Sequence, residues 1–202
     1  MKLYYSPGAC SLAPHIVLRE AGLPFELERV DIATHRLADG ADYHAINPRG
    51  QVPLLDLGDG QRLTEGAIIA QYVSEQAGRR DLLPACGTPE RYRVLEWQNY
   101  VSSELHKSFT PLFSSALAED VKTTFRRLLR KKYEWVASKL RGMRYLTGDD
   151  FTAADAYLFT VTNWARLVGL DLTDLPELQA FQQRVAKRPA VREALAAEGS
   201  AA

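Results

Sequence analysis

The sequence predicts an α/β first part followed by a second part built of helices alone. About the first thirty residues have a strand–helix–strand pattern, and two strands and a helix follow, which is typical of a mixed sheet covered by helices. From Pro89 onward every segment has the helical spacing of apolar residues, and none alternates as a strand does. We therefore predict two domains, residues 1–80 and 88–202, with a linker at about 81–87.

The first three elements are predicted from short apolar patterns. Residues 2–5 form a strand, residues 11–21 a helix that ends at a Gly-Leu-Pro sequence, and residues 25–31 a strand with alternating apolar and acidic side chains. The order strand–helix–strand predicts a parallel pair. Residues 35–46 are expected to form a weaker, exposed helical segment, interrupted by Gly40.

Two strands and a helix follow. Residues 52–57 and 61–63 are predicted strands joined by a tight Gly-Asp-Gly turn. A helix is expected over residues 64–77, with Ile68, Ile69, Tyr72 and Val73 facing inward. Because Gly66 leaves the amides of the helix start uncovered, this end is a candidate site for a carboxylate or phosphate. A plain helix cap, with Glu65 complementing the dipole, is the alternative.

The long helix of the second part has a clear start and a predicted break. Thr88 caps it and Pro89 occupies its first position, and Pro111 should kink or end it. Its predicted apolar stripe is Val94, Trp97, Val101, Leu105 and Phe109.

Four further helices are predicted at about residues 120–140, 153–167, 176–187 and 189–197. The first is expected to bury Val121, Phe125, Leu128, Val136 and Leu140. Thr152 and Asp155 have the spacing of a capping box, so Asp155 is assigned to folding. Asp155→Ala is expected to destabilise the protein without altering its site.

Composition argues against several kinds of partner. Lys plus Arg and Asp plus Glu number 25 each, so no net charge attracts nucleic acid or an anionic membrane. The basic cluster at residues 126–132 is interpreted as a solvated helix face. No segment has the apolar length of a signal peptide or a membrane span, and two cysteines do not form a disulfide scaffold, so a cytoplasmic protein is expected. The four histidines are scattered, so no metal is expected.

Cys10 is the main candidate for chemistry. It lies at or just before the first helical turn, where free amides and the helix dipole favour a thiolate, so we expect a lowered thiol pKa. A small buried cysteine without chemistry is the alternative, and position alone does not separate the two. The other cysteine, Cys86, is far away in sequence, which argues against a dithiol redox motif.

A line of polar side chains on the long helix is a second candidate. Asn99, Ser103, His106 and Thr110 are spaced by four, three and four residues and so share one face. Such a line is most often solvated surface.

Taken together, these patterns resemble the cytosolic glutathione transferases. The βαβ–ββα order, the helix-start Cys10 and the segments Gln51-Val52-Pro53 and Thr64-Glu65-Gly66-Ala67-Ile68 occur in the order of that family, over essentially the whole chain. The Ala9-Cys10-Ser11 context is similar to the bacterial beta class rather than to the tyrosine or serine classes. The resemblance implies a homodimer whose chain has a thioredoxin-like N-terminal domain and an all-α helical-bundle domain.

The resemblance also implies how the first domain binds glutathione. Pro53 would follow a cis peptide bond, Val52 would pair with the cysteinyl backbone, and the helix start at Glu65-Gly66 would take the γ-glutamyl carboxylate. The implied catalytic residues are Cys10, His106 and Ser11. The implied glutathione-binding residues are Ala9, Cys10, His35, Gln51, Val52, Pro53, Glu65, Gly66, Asn99, Ser103, Glu104, His106 and Lys107.

The second domain is implied to complete the site. Asn99 and His106 would face Cys10, with Lys107 beside them. The residues implied to reach the glutathione of the neighbouring subunit are Ser103 and Glu104.

Two positions depart from the family pattern. The family usually has serine where this chain has Gly66, so one hydroxyl donor is missing. Position 35 is often a lysine that reaches the glycyl carboxylate, and His35 would do so only when protonated or as a neutral donor. Both departures predict a somewhat weaker affinity for glutathione.

The predicted function is conjugation of the glutathione thiolate to an electrophilic, largely apolar co-substrate bound between the domains. Donors and positive potential around Cys10, Ser11 and His106 would lower the pKa of the glutathione thiol. Two alternatives stay open. Cys10 could form a mixed disulfide in thiol–disulfide exchange or peroxide reduction, or the fold could be a non-catalytic carrier of apolar ligands. Cys10, His106 and Lys107 favour catalysis over a carrier, whereas the missing serine at position 66 argues mildly against it.

Overall fold

The computed structural model describes residues 1–199, so the last three residues of the predicted second domain, 200–202, lie outside the described residues. The first half of the chain forms a mixed sheet with two helices. The strands are β1 (Lys2–Tyr5), β2 (Glu26–Asp31), β3 (Arg36–Leu37), β4 (Leu54–Asp56) and β5 (Arg62–Thr64), and the helices are α1 (Leu12–Ala21) and α2 (Gly66–Gln76).

The sheet has the strand order β3-β2-β1-β4-β5. β1 and β2 are parallel, with Leu3 opposite Leu27, because α1 provides the crossover between them. The other pairs are antiparallel, and Leu3 also lies opposite Leu55 of β4. Leu3 and Leu55 are fully buried, so the middle of the sheet forms part of the core.

The second half is helical, as predicted. Its helices are α3 (Pro89–Tyr100), α4 (Lys107–Phe113), α5 (Glu119–Lys139), α6 (Ala153–Thr162), α7 (Pro176–Ala186) and α8 (Pro189–Ala197). A π-helical turn, Val101–His106, joins α3 to α4, and the 3-10 turn Ala165–Val168 follows α6. The predicted fold class, a thioredoxin-like domain followed by a helical domain, is confirmed.

α1 connects the two halves, because it packs against α2 of the first half and against α6 and α8 of the second. Ile16, Val17 and Leu18 of α1 are fully buried in a core that includes side chains of both halves. The loop that precedes α1 and carries Cys10 is therefore held between the sheet and the C-terminal helices.

The prediction of a helix at residues 35–46 is wrong. The short strand β3 and a 3-10 turn, Tyr43–Ala45, occupy this segment. Tyr43 is fully buried and its hydroxyl donates to the carbonyl of Gln51 at 2.9 Å. Because this contact joins the segment to the loop before β4, the backbone folds back instead of continuing as a helix.

Two predicted inward faces also need correction. Ile68 of α2 is 49% exposed, whereas Ile69 is buried. On α5, Val121 and Leu128 are exposed. The buried residues of α5 are Leu129, Tyr133, Val136 and Ala137. Ile68 and Leu128 each precede a buried apolar residue, Ile69 and Leu129, so apolar spacing alone did not determine which face packs inward.

The long helix follows its prediction more closely. Val94, Val101, Leu105 and Phe109 are buried, and Trp97 is half-buried. Pro111 lies inside α4, which ends soon after it at Phe113. The π-helical turn was not predicted. It widens the helix from Val101 through His106, so the face on which His106 lies is not set by a plain α-helical spacing.

The capping box at α6 is confirmed. The carboxylate of Asp155, fully buried, accepts hydrogen bonds from the backbone N–H and the hydroxyl of Thr152, each at 2.8 Å. It also accepts from the backbone N–H of Leu146 at 2.8 Å. Asp155 therefore joins the start of α6 to the loop before it.

The basic residues of α5 contact the protein's own polar groups. The Arg126 guanidinium donates to the carbonyl of Val168 at 2.6 Å, and Arg130 pairs with Asp174 at 2.5 Å. These contacts give the two arginines a structural role. Within residues 1–199, no helix combines the length and the apolar character needed to cross a membrane.

Candidate active site

The loop between β1 and α1 is shaped by its own hydrogen bonds. The N–H of Ala9 donates to the carbonyl of Ser6 at 3.0 Å. The Ser11 hydroxyl, fully buried, accepts from the N–H of Ser6 at 3.2 Å and donates to its carbonyl at 3.3 Å. The turn is closed by Ser11, and Cys10 lies beside it.

Two side chains from the C-terminal half hold the same loop at Gly8. The carboxylate of Glu198 accepts from the N–H of Gly8 at 2.9 Å. The indole N–H of Trp164 donates to the carbonyl of Gly8 at 2.8 Å. Both backbone groups of Gly8 are thus paired, which limits how the loop can move.

The Cys10 thiol donates a hydrogen bond to the carbonyl of Val52 at 3.2 Å. Burial raises the pKa of this thiol to about 11, and the nearby backbone N–H groups and Lys107 lower it by less. Cys10 is therefore a neutral donor at physiological pH.

Cys10 lies close to the start of α2. The Val52–Pro53 peptide bond is cis. A methyl group added at Gly66 would lie 3.7 Å from the ring of Pro53 and 4.0 Å from the carbonyl oxygen of Cys10. Glu65 has a φ of 65° and turns its carboxylate towards Arg49, at 3.0 Å, rather than over the helix. The geometry leaves the positive end of α2 next to Cys10.

His106 faces aromatic groups. Its Nδ1 lies 2.7 Å from the hydroxyl of Tyr157, and its ring packs edge-on against Trp164 with centroids 4.9 Å apart. Burial and the positive charge of Lys107 lower the pKa of His106 to about 4, so its ring is neutral at physiological pH. Burial also raises the pKa of Tyr157, which keeps its proton. A neutral tyrosine hydroxyl can donate to Nδ1, and that direction of the hydrogen bond puts the ring proton of His106 on Nε2.

The candidate groups come from both halves of the chain. A thiol, a peptide carbonyl and an uncovered helix start meet in the first half of the chain, and a neutral histidine oriented by Tyr157 lies in the second. Such a set can bind a carboxylate and a peptide backbone, and can donate hydrogen bonds to a sulfur atom.

Two family models match the chain. The N-terminal domain of glutathione S-transferases matches residues 8–76, and the C-terminal domain matches residues 100–189. The chain belongs to the glutathione S-transferase family. It is 51% identical to glutathione S-transferase GstA of Escherichia coli O157:H7 over 98% of this chain and 99% of that protein.

Solved structures agree with this assignment. A sphingomonad glutathione S-transferase in complex with glutathione is 41% identical, with a TM-score of 0.94 and coverage of 100% of both chains. A beta-class glutathione S-transferase of Sphingomonas chungbukensis is 40% identical, with a TM-score of 0.95 and coverage of 100% of both chains. The predicted enzyme class, a glutathione transferase similar to the bacterial beta class, is confirmed, and so is glutathione as the co-substrate of the family.

Several of the predicted first-domain residues lie together, and Cys10, Val52, Pro53 and Gly66 are the closest set. Ala9 is half-buried in the turn before Cys10, and Gln51 and Glu65 are exposed. The backbone of His35 has a φ of 54°, and its Nδ1 lies 3.2 Å from the carbonyl of Gly50. His35 thus contacts the segment that leads to Val52.

The predicted second-domain residues are more scattered. His106 is half-buried and Lys107 is exposed. Asn99 and Ser103 are exposed, and the Ser103 hydroxyl donates to the carbonyl of Asn99 at 3.0 Å. The carboxylate of Glu104 pairs with Lys132 at 2.9 Å. Within the described chain, the hydrogen bonds of Ser103 and Glu104 stay on their own helix and on α5.

The electrostatic part of the sequence prediction needs correction. The expected lowering of the Cys10 pKa is wrong, because burial outweighs the helix start. His106 does not supply positive potential, since its own burial keeps it neutral. The Ser11 hydroxyl is committed to Ser6, so its predicted place beside the glutathione thiol is not supported by the geometry.

Three important residues were not found from the sequence. Tyr157 and Trp164 lie within the helix predicted at residues 153–167, and Glu198 lies just after the last predicted helix. A tyrosine and a tryptophan in an otherwise apolar segment were the available signal, because buried Tyr and Trp usually hydrogen-bond through their polar atom. Glu198 carried no comparable local signal.

Proposed function

We propose that this enzyme conjugates the glutathione thiolate to electrophilic, apolar substrates, with Cys10 beside the bound thiol. The observation that carries the proposal is the 3.2 Å hydrogen bond from the Cys10 thiol to the carbonyl of Val52, next to the uncovered start of α2. A peptide whose cysteinyl backbone pairs with Val52 would have its own sulfur near Cys10. The glutathione complex of the sphingomonad relative supports the choice of peptide.

Binding would use groups that the fold already holds in place. The amides at the start of α2 would take the γ-glutamyl carboxylate, as helix N-termini commonly bind anions. The Val52 backbone would pair with the cysteinyl residue. His35 donates from Nδ1 to the Gly50 carbonyl at 3.2 Å, so its Nε2 would be the donor for the glycyl carboxylate in the protonated ring.

Activation of the thiol would depend on hydrogen-bond donors more than on a charged histidine. The Nε2–H of His106 would donate to the glutathione sulfur. The S–H of Cys10 would do so as well once the cysteinyl N–H of glutathione replaces it on the Val52 carbonyl, and the positive charge of Lys107 acts on the same region. Donors and positive charge favour a thiolate over a thiol and so lower its pKa. The sulfur then forms a bond to the electrophilic carbon while the leaving group departs, and the thiol proton goes to solvent.

The co-substrate would bind against exposed apolar groups near Trp164. Phe113 is 51% exposed and its ring lies 5.8 Å from that of Trp164, and Leu167 is 67% exposed. Exposed apolar side chains beside a candidate catalytic histidine are typical of a site for an apolar molecule.

The test compares initial rates of glutathione conjugation to 1-chloro-2,4-dinitrobenzene for the wild type, Cys10→Ser and Cys10→Ala. We expect turnover to survive in both variants, with Cys10→Ser closer to the wild type because a hydroxyl replaces the S–H donor. Turnover that is lost in both would make the Cys10 sulfur essential and would favour thiol–disulfide exchange through a mixed disulfide. Glutathione binding without turnover in any form would favour the carrier function.

We also propose a cytoplasmic homodimer with domains at residues 1–80 and 88–202. The exposed apolar side chains Ile68 and Tyr92, from α2 and α3, support a partner surface, and Ser103 and Glu104 would then reach the partner's glutathione. Light scattering during size-exclusion chromatography tests the dimer. A single 22.6 kDa species at micromolar concentration would contradict it.

A further inference from the structure

Two histidines stack beside the loop that leads to Val52. The rings of His35 and His44 lie with their centroids 4.4 Å apart and an angle of 53° between their planes. His35 is half-buried in the turn before β3, and the side chain of His44, on the 3-10 turn Tyr43–Ala45, is 46% exposed. The pair therefore joins a candidate glutathione ligand to a second imidazole at the protein surface.

Each ring has one nitrogen that the protein already uses. Nδ1 of His35 lies 3.2 Å from the carbonyl of Gly50, and Nδ1 of His44 lies 3.2 Å from the carboxylate of Asp42. Because a carbonyl and a carboxylate only accept, both Nδ1 atoms carry the proton of the neutral ring. Both Nε2 atoms are then lone-pair acceptors, and within residues 1–199 neither makes a hydrogen bond. A neutral pair thus offers no N–H to a carboxylate.

The backbone of Gly50 lies where the two rings converge. A Cβ at Gly50 would lie 2.7 Å from Nδ1 and 2.8 Å from Cε1 of His35, and 2.9 Å from Nε2 of His44. The acceptor of His44 and the Nδ1–Cε1 edge of His35 are therefore close to one point. A protonated imidazole carries positive charge on this edge, so a neutral acceptor beside it stabilises the protonated ring. Protonation of both rings would instead bring two positive charges together, which is unfavourable.

The other charged side chains described around the pair keep their charge at neutral pH. They are Asp31, Arg36, Asp42, Arg49, Arg62 and Glu65. Arg49 pairs with Glu65 at 3.0 Å, and Arg62 donates to the carbonyl of Ile46 at 2.7 Å. Burial raises the pKa of Tyr43, the residue before His44, to about 12, so its hydroxyl stays protonated. Between about pH 6 and 8 the charge of this region therefore changes at the two imidazoles.

We propose that His44, held by Asp42, is a positioning residue that stabilises the protonated ring of His35, so that glutathione binds with the uptake of one proton. The proposal rests on the proposed use of His35 for the glycyl carboxylate. The proton comes from solvent and goes to Nε2 of His35, which then donates to the carboxylate. Because the complex holds a proton that the free site lacks, the affinity for glutathione falls as the pH rises through the range in which imidazoles titrate.

The test compares S-methylglutathione with its analogue in which the glycyl carboxylate is a primary amide. Both ligands lack the thiol, so ionisation of the sulfur does not contribute, and they differ in one charged group. Calorimetry gives their dissociation constants at about pH 7 and 8, and a comparison of HEPES with Tris buffer, whose ionisation enthalpies differ, gives the proton uptake.

The two ligands should differ in their pH dependence. For the acid, we expect the dissociation constant to rise about five- to tenfold from pH 7 to pH 8, with roughly half a proton or more taken up. For the amide, we expect a change of less than about twofold and no proton uptake, because an amide N–H can donate to the neutral ring.

Three variants separate positioning by His44 from a general effect on the loop. His44→Leu should weaken binding of the acid about fivefold at pH 7 and leave the affinity for the amide unchanged. Asp42→Asn should act in the same direction, since His44 loses the carboxylate that fixes its ring proton. Asp39→Asn is the matched control. Like Asp42, Asp39 accepts from the backbone N–H two residues further on, but in the described chain no histidine ring bonds to it, so this variant should behave as the wild type.

Equal pH dependence of the two ligands, or no proton uptake with the acid, would overturn the proposal. An unchanged pH profile of the acid in His44→Leu would do the same, because His35 would then act alone. Binding of neither ligand would overturn the proposed function as well, whereas pH-independent binding of both would leave that function intact. Because the comparison of the two ligands needs no substitution, it decides the matter even if His44→Leu fails to fold.

Discussion

The carboxylate of Glu198 accepts a hydrogen bond from the backbone N–H of Gly8 at 2.9 Å, across 190 positions of the chain. Its second oxygen lies 2.8 Å from Nδ1 of His15, and both side chains are fully buried. Arg19 donates to the other ring nitrogen of His15 at 2.9 Å, so Nδ1 carries the proton that Glu198 accepts. One carboxylate thus joins α8, α1 and the loop before Cys10.

Glu198→Ala should lower both stability and turnover. The substitution leaves the Gly8 N–H and His15 Nδ1 buried without this acceptor, so we expect the free energy of unfolding to fall by about 3 kcal/mol. The loop before Cys10 also loses one of its two anchors at Gly8, so kcat/KM for conjugation should fall. Urea unfolding and initial rates measure the two effects.

Glu193→Ala is the matched control. Glu193 pairs with Arg19 at 3.3 Å, but its side chain is 63% exposed. Exposed pairs contribute little, so stability should change by less than about 0.5 kcal/mol. Equal effects of the two substitutions would contradict the anchoring role of Glu198.

The two cysteines should differ strongly in reactivity. Burial raises the pKa of Cys10 to about 11, whereas Cys86 is exposed. Since the thiolate is the reactive form, Cys10 should react roughly 100-fold more slowly with a disulfide reagent at pH 8 than an ordinary thiol. Its rate should keep rising with pH up to about 11. The Cys86→Ser variant reports the labelling rate of Cys10 alone, and the Cys10→Ser variant reports that of Cys86 alone. Equal labelling rates in the two variants would contradict a protonated, buried thiol at Cys10.

Tyr157→Phe tests whether Tyr157 positions His106. Loss of the hydroxyl removes the donor to Nδ1, so the ring proton of His106 is no longer held on Nε2. We therefore expect kcat/KM to fall about tenfold. Tyr157→Phe should have almost no further effect when His106 is already alanine, because substitutions of residues that act through one another do not have additive effects. Tyr145→Phe, another buried tyrosine whose hydroxyl contacts Arg188, should leave turnover unchanged. Additive losses in the double variant would argue against positioning.

Gly66→Ser should tighten glutathione binding. A Cβ at this position has ordinary contacts at 3.7 Å, and a seryl hydroxyl adds a donor at the start of α2. One extra hydrogen bond predicts a dissociation constant about fivefold lower in calorimetry. Gly66→Ala provides the same Cβ without the donor and should leave the affinity near that of the wild type. A serine variant no better than the alanine variant would contradict a carboxylate site here.

Asp155 should contribute to folding and not to the site. Asp155→Ala deprives three donors of their acceptor, so we expect stability at pH 7 to fall by about 2 kcal/mol with KM for glutathione unchanged. A changed KM would contradict the purely structural assignment.

The pH dependence of stability gives a second readout for Asp155. Burial raises its pKa from 3.8 to about 6, so between these values the unfolded chain binds fewer protons than the folded one. The stability of the wild type relative to Asp155→Asn should therefore decrease as pH rises from about 4 to about 6, and stay level above that. A difference that rises with pH over this window would mean that the hydrogen bonds outweigh burial.

Local signals in the sequence predicted most of the elements well. The start of α3 at Thr88 and Pro89 and the capping box of Thr152 and Asp155 depend on hydrogen bonds that span three residues. Such contacts are contained in any short stretch of sequence, so the pattern and the structure agree. The inward face of α5 was less well predicted, since Leu128 and Leu129 are both apolar and only packing selects Leu129.

By itself, the sequence determined most of the strands and helices, the family, and four residues that lie together, Cys10, Val52, Pro53 and Gly66. The tertiary structure decided their chemistry. Burial keeps the Cys10 thiol and the His106 ring neutral, although the helix-start position predicted a thiolate at Cys10 and the expected mechanism required positive potential around His106. The tertiary structure also brings the carboxylate of Glu198 to the backbone N–H of Gly8. Desolvation and contacts across 190 positions depend on what packs around a residue, and no local pattern contains that information.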